Sequence, residues 1–153
     1  QPAALIESCL ELRRPALAGR KLSPRVVIDD PRSITGDAFL LQQAILNLLD
    51  NAIEFSPDVS EISSSGGEIE ITVRPQGSLL EFVIRDHGDG APDYALGQLF
   101  NRFYSLPRPA TGKKSTGLGL AFVREVARLH GGEAGFANHP QGGGEAWLRV
   151  AAG

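Results

Sequence analysis

The sequence predicts an α/β domain, on the strength of segments with apolar residues at helical spacing interleaved with short segments in which apolar and polar residues alternate. A length of 153 residues with 42% hydrophobic content suits one domain over residues 1–153, able to bury a core without staples. Residues 2–18 place Leu5, Ile6, Cys9, Leu10 and Leu12 at helical spacing, and Gly19 offers a stop. Arg25 to Asp29 reads as a strand, Asp30-Pro31 as a turn, and Ser33 to Gly36 as a short partner strand. Asp37 is then the N-cap of a helix over 37–55. After the loop Ser63-Ser64-Ser65-Gly66-Gly67, the segments Glu68 to Arg74 and Leu79 to Arg85 alternate as two strands of a hairpin through Pro75-Gln76-Gly77-Ser78. Residues 91–116 lack periodicity and read as a long loop, the kind that is usually functional. A helix over 118–130, with Leu120, Phe122, Val123, Val126, Ala127 and Leu129 packing inward, ends at His130 and Gly131-Gly132. Strands Glu133 to Ala137 and Glu145 to Val150 close the chain.

Composition excludes several classes. A formal charge of −3 gives no global attraction to nucleic acid, so an anionic ligand needs a local cationic cluster. The single cysteine, Cys9, forms no internal disulfide, and no apolar run approaches the ~20 residues that span a bilayer. The chain reads as cytosolic. Starting at Gln1 and lacking Met, it also reads as a fragment of a longer protein, about whose membrane spans it says nothing.

The helix over 37–55 carries the most pointed signal. At about 100° per residue, Gln43, Asn47, Asp50, Asn51 and Glu54 fall within one arc while Leu41, Ile45, Leu46, Leu48, Leu49, Ala52 and Ile53 cover the rest. A solvated stripe would hold Lys, Arg and Glu, whereas each Asn costs roughly 0.5 kcal/mol or more relative to Ala inside a helix. A core polar network and a ligand-facing wall both fit this pattern.

Asp86-His87-Gly88-Asp89-Gly90 puts a carboxylate at a strand end, followed by glycines that admit a flat ligand close to the backbone. A calcium loop starting at Asp86 would place Gly88 and Gly97 where oxygen ligands are required, and is set aside. Gly117-Leu118-Gly119 opens a helix, where free N–H groups and the dipole favour phosphate. From Asn101 to Thr116 there are four cations, Arg102, Arg108, Lys113 and Lys114, and no acids, which suits a polyphosphate.

The order Asn-x-x-x-Asn helix, D-x-G-x-G turn, aromatic loop and G-x-G helix start resembles the ATP-binding catalytic domain of sensor histidine kinases, within the GHKL superfamily. Asn47 to Ala52 is similar to the N box, Asp86 to Gly90 to the G1 box, Leu99 to Tyr104 to the F box, and Ser115 to Leu120 to the G2 box. The stretch Tyr104 to Gly132 is similar to one particular subtype of these kinases. The resemblance implies a two-layer α/β sandwich, with the three helices on one face of a mixed, mostly antiparallel sheet and residues 91–116 as a flexible ATP lid. ATP and Mg²⁺ are the implied cofactors. Asn51 would hold the Mg²⁺ with support from Asn47, Asp86 would read the adenine amino group, and Phe55 would lie against the ring. Gly88 and Gly90 would shape that turn. Thr116, Gly117, Leu118, Gly119 and Leu120 would line the phosphates, with Arg102 and Lys114 reaching them from the lid and Asn47 and Arg102 serving catalysis.

Hydrolysing relatives carry Glu at the position of Asn47 to activate water, a task an amide cannot perform. The implied reaction is therefore transfer of the γ-phosphoryl group to a histidine, which needs mainly positioning and charge neutralisation. None of His87, His130 and His139 looks like that acceptor, so it would sit on a dimerisation domain of the same protein outside this chain. A response regulator downstream, no nucleic-acid partner, a monomeric catalytic domain and a parent anchored in the bacterial inner membrane complete the implication. Two departures stand out: Glu54 occupies a place where the family often has Lys or Arg, and Ala91-Pro92 follows the G1 turn. Glu54 keeps open a different reading, a nucleotide-binding regulatory module or pseudokinase without phosphotransfer.

Overall fold

A computed structural model of the chain describes residues 2–19, 22–29, 34, 36–55, 67–87, 119–138 and 143–151, with the side chains of Glu54 and Phe55 outside the described part. Its elements run α1 (Pro2–Gly19), β1 (Leu22–Ile28), α2 (Ala38–Phe55), β2 (Gly67–Gln76), β3 (Leu79–Arg85), α3 (Gly119–Leu129), β4 (Ala134–Asn138) and β5 (Gly144–Ala151). The strands form one five-stranded sheet in the order β1-β2-β3-β5-β4. Only β1 and β2 pair in parallel, so the sheet is mixed and mostly antiparallel, and α1, α2 and α3 share its core.

Alternation along the strands separates two faces. Ile69, Ile71 and Val73 of β2, Leu80, Phe82 and Ile84 of β3, and Leu148 and Val150 of β5 are all at most 1% exposed and face the helices. On the helical side, α2 is buried nearly all round: Leu41, Ala44, Ile45, Leu46, Leu48, Leu49, Ala52 and Ile53 are each at most 5% exposed. At about 1.5–3 kcal/mol for each large apolar side chain removed from water, this burial far exceeds what two interior asparagines cost the helix. Asp37 caps α2 as the sequence predicts, its Oδ1 accepting the Leu40 N–H at 3.0 Å. Two side chains expected inward point out instead: Leu12 of α1 is 53% exposed and Leu129 of α3 is 65% exposed. Each lies at the rim of its apolar arc, where spacing alone does not decide the facing.

The predicted partnership between Arg25–Asp29 and Ser33–Gly36 falls largely outside the described residues. The partner of β1 is β2, in the register Leu22↔Gly67 through Ile28↔Val73, a pairing across the whole of α2 that local sequence does not reveal. Of the short segment, only Ile34 makes an isolated strand-like bridge; Ser33 and Thr35 lie outside the described residues. The hairpin between β2 and β3 is tighter than expected, Gln76 pairing with Leu79 across a two-residue turn whose Gly77 has φ +63°. Pro75 lies past the end of the β1 pairing, where β2 has become an edge and a residue without N–H is tolerated.

On the outer face, Glu81 is 1% exposed and held by two guanidiniums, Arg74 Nε and Arg149 Nε, each at 2.6 Å from a different carboxylate oxygen. Arg149 also bonds Glu133 at 2.7 Å and lies over the Trp147 ring, 5.3 Å from its centroid. The carboxylate thus ties β2, β3 and β5 together. Burial pushes the Cys9 thiol up to about 11, the Ser8 hydrogen bond and Arg13 acting in the opposite sense, so this cysteine is an inert core residue. No helix among the described residues is long and apolar enough to cross a membrane.

Removing one member of a buried ion network strands the others, so Glu81→Ala is expected to destabilise the domain by about 2 kcal/mol, less than a fully buried pair because Arg74 is half exposed. Urea unfolding of the two proteins measures this, and a loss under about 0.5 kcal/mol would refute the structural role given to Glu81.

Candidate functional site

The polar stripe of α2 divides among different neighbours. Asp50 turns to α1, where Arg13 grips both oxygens at 2.6 Å and 3.1 Å, and this carboxylate raises the Arg13 pKa further. Asp50 is therefore a helix–helix tether, the polar-network role that the stripe also fits. Partial exposure of both groups limits the pair to roughly 1 kcal/mol or less. Asn47 turns the other way, donating from Nδ2 to the carbonyl of Gly119 at 3.3 Å. A Cβ on Gly119 would lie 3.9 Å from the Asn47 amide carbon, so the first residue of α3 sits directly against this side chain. Asn51, one turn on, is partly buried. The structure therefore brings Asn47, Gly119 and the partly buried Leu120 together at the start of α3.

The opposite ends of the two helices are joined as well. His130, following α3, accepts the Asp37 N–H at Nε2 (3.1 Å), which places its ring proton on Nδ1, 2.8 Å from the Val126 carbonyl. Gly36 permits the approach, since a Cβ there would fall 2.3 Å from the imidazole. Gly131 (φ +74°) then closes α3, with Gly132 N–H reaching the Ala127 carbonyl and Gly131 N–H the Arg128 carbonyl. Ala151 N–H bonds the His130 carbonyl at 2.9 Å, fixing this end to β5.

Asp86 follows β3 and is 6% exposed. It exchanges two hydrogen bonds with one residue of β5: its N–H reaches the Gly144 carbonyl at 3.0 Å, and its Oδ1 accepts the Gly144 N–H at 3.2 Å. The neighbouring glycines make this possible. A Cβ on Gly143 (φ +83°) would lie 2.0 Å from the Asp86 carbonyl oxygen, and one on Gly144 would lie 2.5 Å from the Phe136 ring. These two positions were missed in the sequence, although the run Gly142-Gly143-Gly144 before a strand is a visible signal of close backbone approach. His87 is exposed beside the turn.

Several predicted site residues lie outside the described residues: Gly88, Gly90, Arg102, Lys114, Thr116, Gly117 and Leu118, together with the F box, Ala91, Pro92, His139 and the side chains of Phe55 and Glu54. Among the described residues the amides of Asn47 and Asn51 could hold Mg²⁺, being uncharged hard-oxygen donors of the kind that suits a cation retaining its waters and phosphate ligands.

A five-stranded mixed sheet under three helices, with a buried strand-end carboxylate and an asparagine set against a glycine-opened helix, defines an ATPase-type α/β sandwich. The family model described as histidine kinase-, DNA gyrase B- and HSP90-like ATPase matches residues 36–152, and the chain belongs to that family. It is 43% identical over 148 residues to the sensor protein CreC of Escherichia coli K12, covering 97% of this chain and 29% of CreC. CreC represents the subtype that residues 104–132 resemble. The structure of the mycobacterial sensor histidine kinase MprB is similar with a TM-score of 0.78 at 27% identity, covering 98% of this chain and 95% of that one. Full-length ShkA, in complex with AMPPNP, shares the fold with a TM-score of 0.78 at 24% identity, covering 100% of this chain and 31% of ShkA. The chain thus spans less than a third of the length of CreC.

Gly143→Ala forces a left-handed residue against the Asp86 backbone and is expected to destabilise the domain by at least about 2 kcal/mol. Gly77→Ala, also left-handed but with nothing within 4 Å, should lose only about 1 kcal/mol. Parallel urea titrations measure both, and equal losses would contradict the close approach at Gly143.

Proposed function

We propose that this chain is the ATP-binding catalytic domain of a two-component sensor histidine kinase, transferring the γ-phosphoryl group of Mg-ATP to a histidine on a separate dimerisation domain. The Asn47 to Gly119 hydrogen bond carries the reading, because it sets the N-box helix against the start of the helix that the G2 box opens. Membership of the ATPase family and likeness to CreC along 97% of the chain support it.

In this reading Asp86, fixed by Gly144, accepts a hydrogen bond from the adenine amino group. Phe55 lies against the ring, while Gly88 and Gly90 keep the turn free of side chains. Backbone N–H groups from Thr116 to Leu120 surround the phosphates at the positive end of α3. Asn51, with Asn47 behind it, would hold Mg²⁺, which would supply charge neutralisation to the phosphates. Arg102 and Lys114 reach the γ-phosphoryl group from a lid over residues 91–116. Asn47 provides no base, so water is not activated and the phosphoryl group is kept for the incoming imidazole. The acceptor histidine and the response regulator that drains it belong to other domains or proteins, and the parent is anchored in the inner membrane with this domain in the cytoplasm.

Calorimetric titration of the isolated chain with Mg-ATP should give saturable binding that Asp86→Ala and Asn51→Ala each weaken by tenfold or more. Binding unchanged in both variants would overturn the site. Adding the histidine-bearing domain in trans with γ-labelled ATP should give acid-labile, base-stable label on that domain. Retained ATP binding without transfer would instead favour the regulatory-module reading.

A further inference from the structure

The outer face of the sheet, away from α2 and α3, carries a second group of potential ligands that the nucleotide reading leaves unused. Glu68 and Glu70 are alternate residues of β2 and share that face. The β2–β3 register pairs Glu70 with Arg85, and carried two residues further it sets His87 opposite Glu68. Each of these three side chains offers a ligand atom, and the three atoms lie within 4.8 Å of one another. Extended in this way, the register places the three residues next to one another on one face.

We propose that Glu68, Glu70 and His87 form a binding site for a divalent transition-metal ion of the zinc type. One imidazole nitrogen and two carboxylates are a mixed donor set that suits zinc, cobalt or nickel better than calcium or magnesium, which prefer oxygen alone. Ligand atoms about 2.0–2.2 Å from a tetrahedral ion stand about 3.4 Å apart, so the three need to draw together by roughly 1 Å. His87 is exposed and both glutamates are partly exposed, which gives the side chains that freedom and leaves the ion a coordination position for water.

Two guanidiniums face the same carboxylate. Arg25 approaches one oxygen of Glu70 and Arg85 the other, each at 3.5 Å. At that length both contacts are weak, and Arg25, with its side chain 64% exposed, is free to swing into solvent when an ion takes the oxygen. The competition weakens the site and makes Arg25 an antagonist of it. Because His87 directly follows Asp86, the bound ion would pin the start of the adenine-reading turn to β2. That consequence rests on the proposed nucleotide site, whereas the metal site itself does not.

The test is a zinc chloride titration of the nucleotide-free 153-residue chain, followed by calorimetry, since ATP would itself chelate the ion. One zinc per chain is expected, with His87→Ala and Glu68→Gln each weakening binding at least tenfold and His139→Ala leaving it unchanged. Arg25→Ala should tighten binding severalfold, an effect that a merely structural disturbance would not produce. Absence of binding below millimolar zinc, equal binding by wild type and His87→Ala, or weaker binding by Arg25→Ala would each overturn the proposal. Nucleotide binding by the same proteins is measured separately, so failure of the metal site and failure of the ATP site are told apart.

Discussion

Burial of α2 on almost every side is the constraint on which the other parts depend. A helix packed against α1, α3 and the sheet has no rotational freedom, so each polar residue on it is committed to one direction. Asp50 meets Arg13 and Asn47 meets Gly119 because the apolar residues between them leave no other orientation. The amides are thereby positioned by hydrophobic packing that has no chemical role of its own. Packing of this density is sensitive to changes of a single methylene, which explains how a core can determine the placement of side chains at its rim.

The sheet contributes a second kind of positioning, through backbone alone. Asp86 is held by both polar groups of Gly144, and the arrangement requires that neither Gly143 nor Gly144 carry a side chain. An oriented carboxylate fixed by a peptide unit is stiffer than one fixed by another side chain, which has rotamers of its own. Chemistry at the end of β3 therefore rests on residues nearly sixty positions later in the chain.

What the sequence made legible follows from that distinction between local and distant causes. The extent of α2, its Asp37 cap, the β2–β3 hairpin and the end of α3 near Gly131 all depend on neighbours within a few residues, and each appears close to its expected place. The parallel pairing of β1 with β2 was not legible because its two strands are joined across α2. The same holds for the Asp50–Arg13 pair, whose members are separated by 37 residues, and for His130 against Asp37, separated by 93. Leu12 and Leu129 show the limit of periodicity itself, since an arc of apolar residues does not state where its margin falls. Within the candidate site, Asn47, Gly119 and Asp86 were legible as motif members, while the glycines that hold Asp86 required the tertiary structure.

β5 is anchored at both ends to different parts of this framework. Gly144 at its start grips Asp86, and Ala151 at its finish bonds the carbonyl of His130, whose ring accepts the N–H of Asp37, the residue that caps α2. Seven residue steps at about 3.3 Å separate those anchors by roughly 23 Å, so the strand acts as a ruler between the carboxylate and the far end of the helix pair. One residue more or fewer would move an anchor out of reach and also exchange the strand's two faces, exposing Leu148 and Val150 while burying Arg149. The length of β5 is thus held more tightly than the identity of most of the side chains it carries.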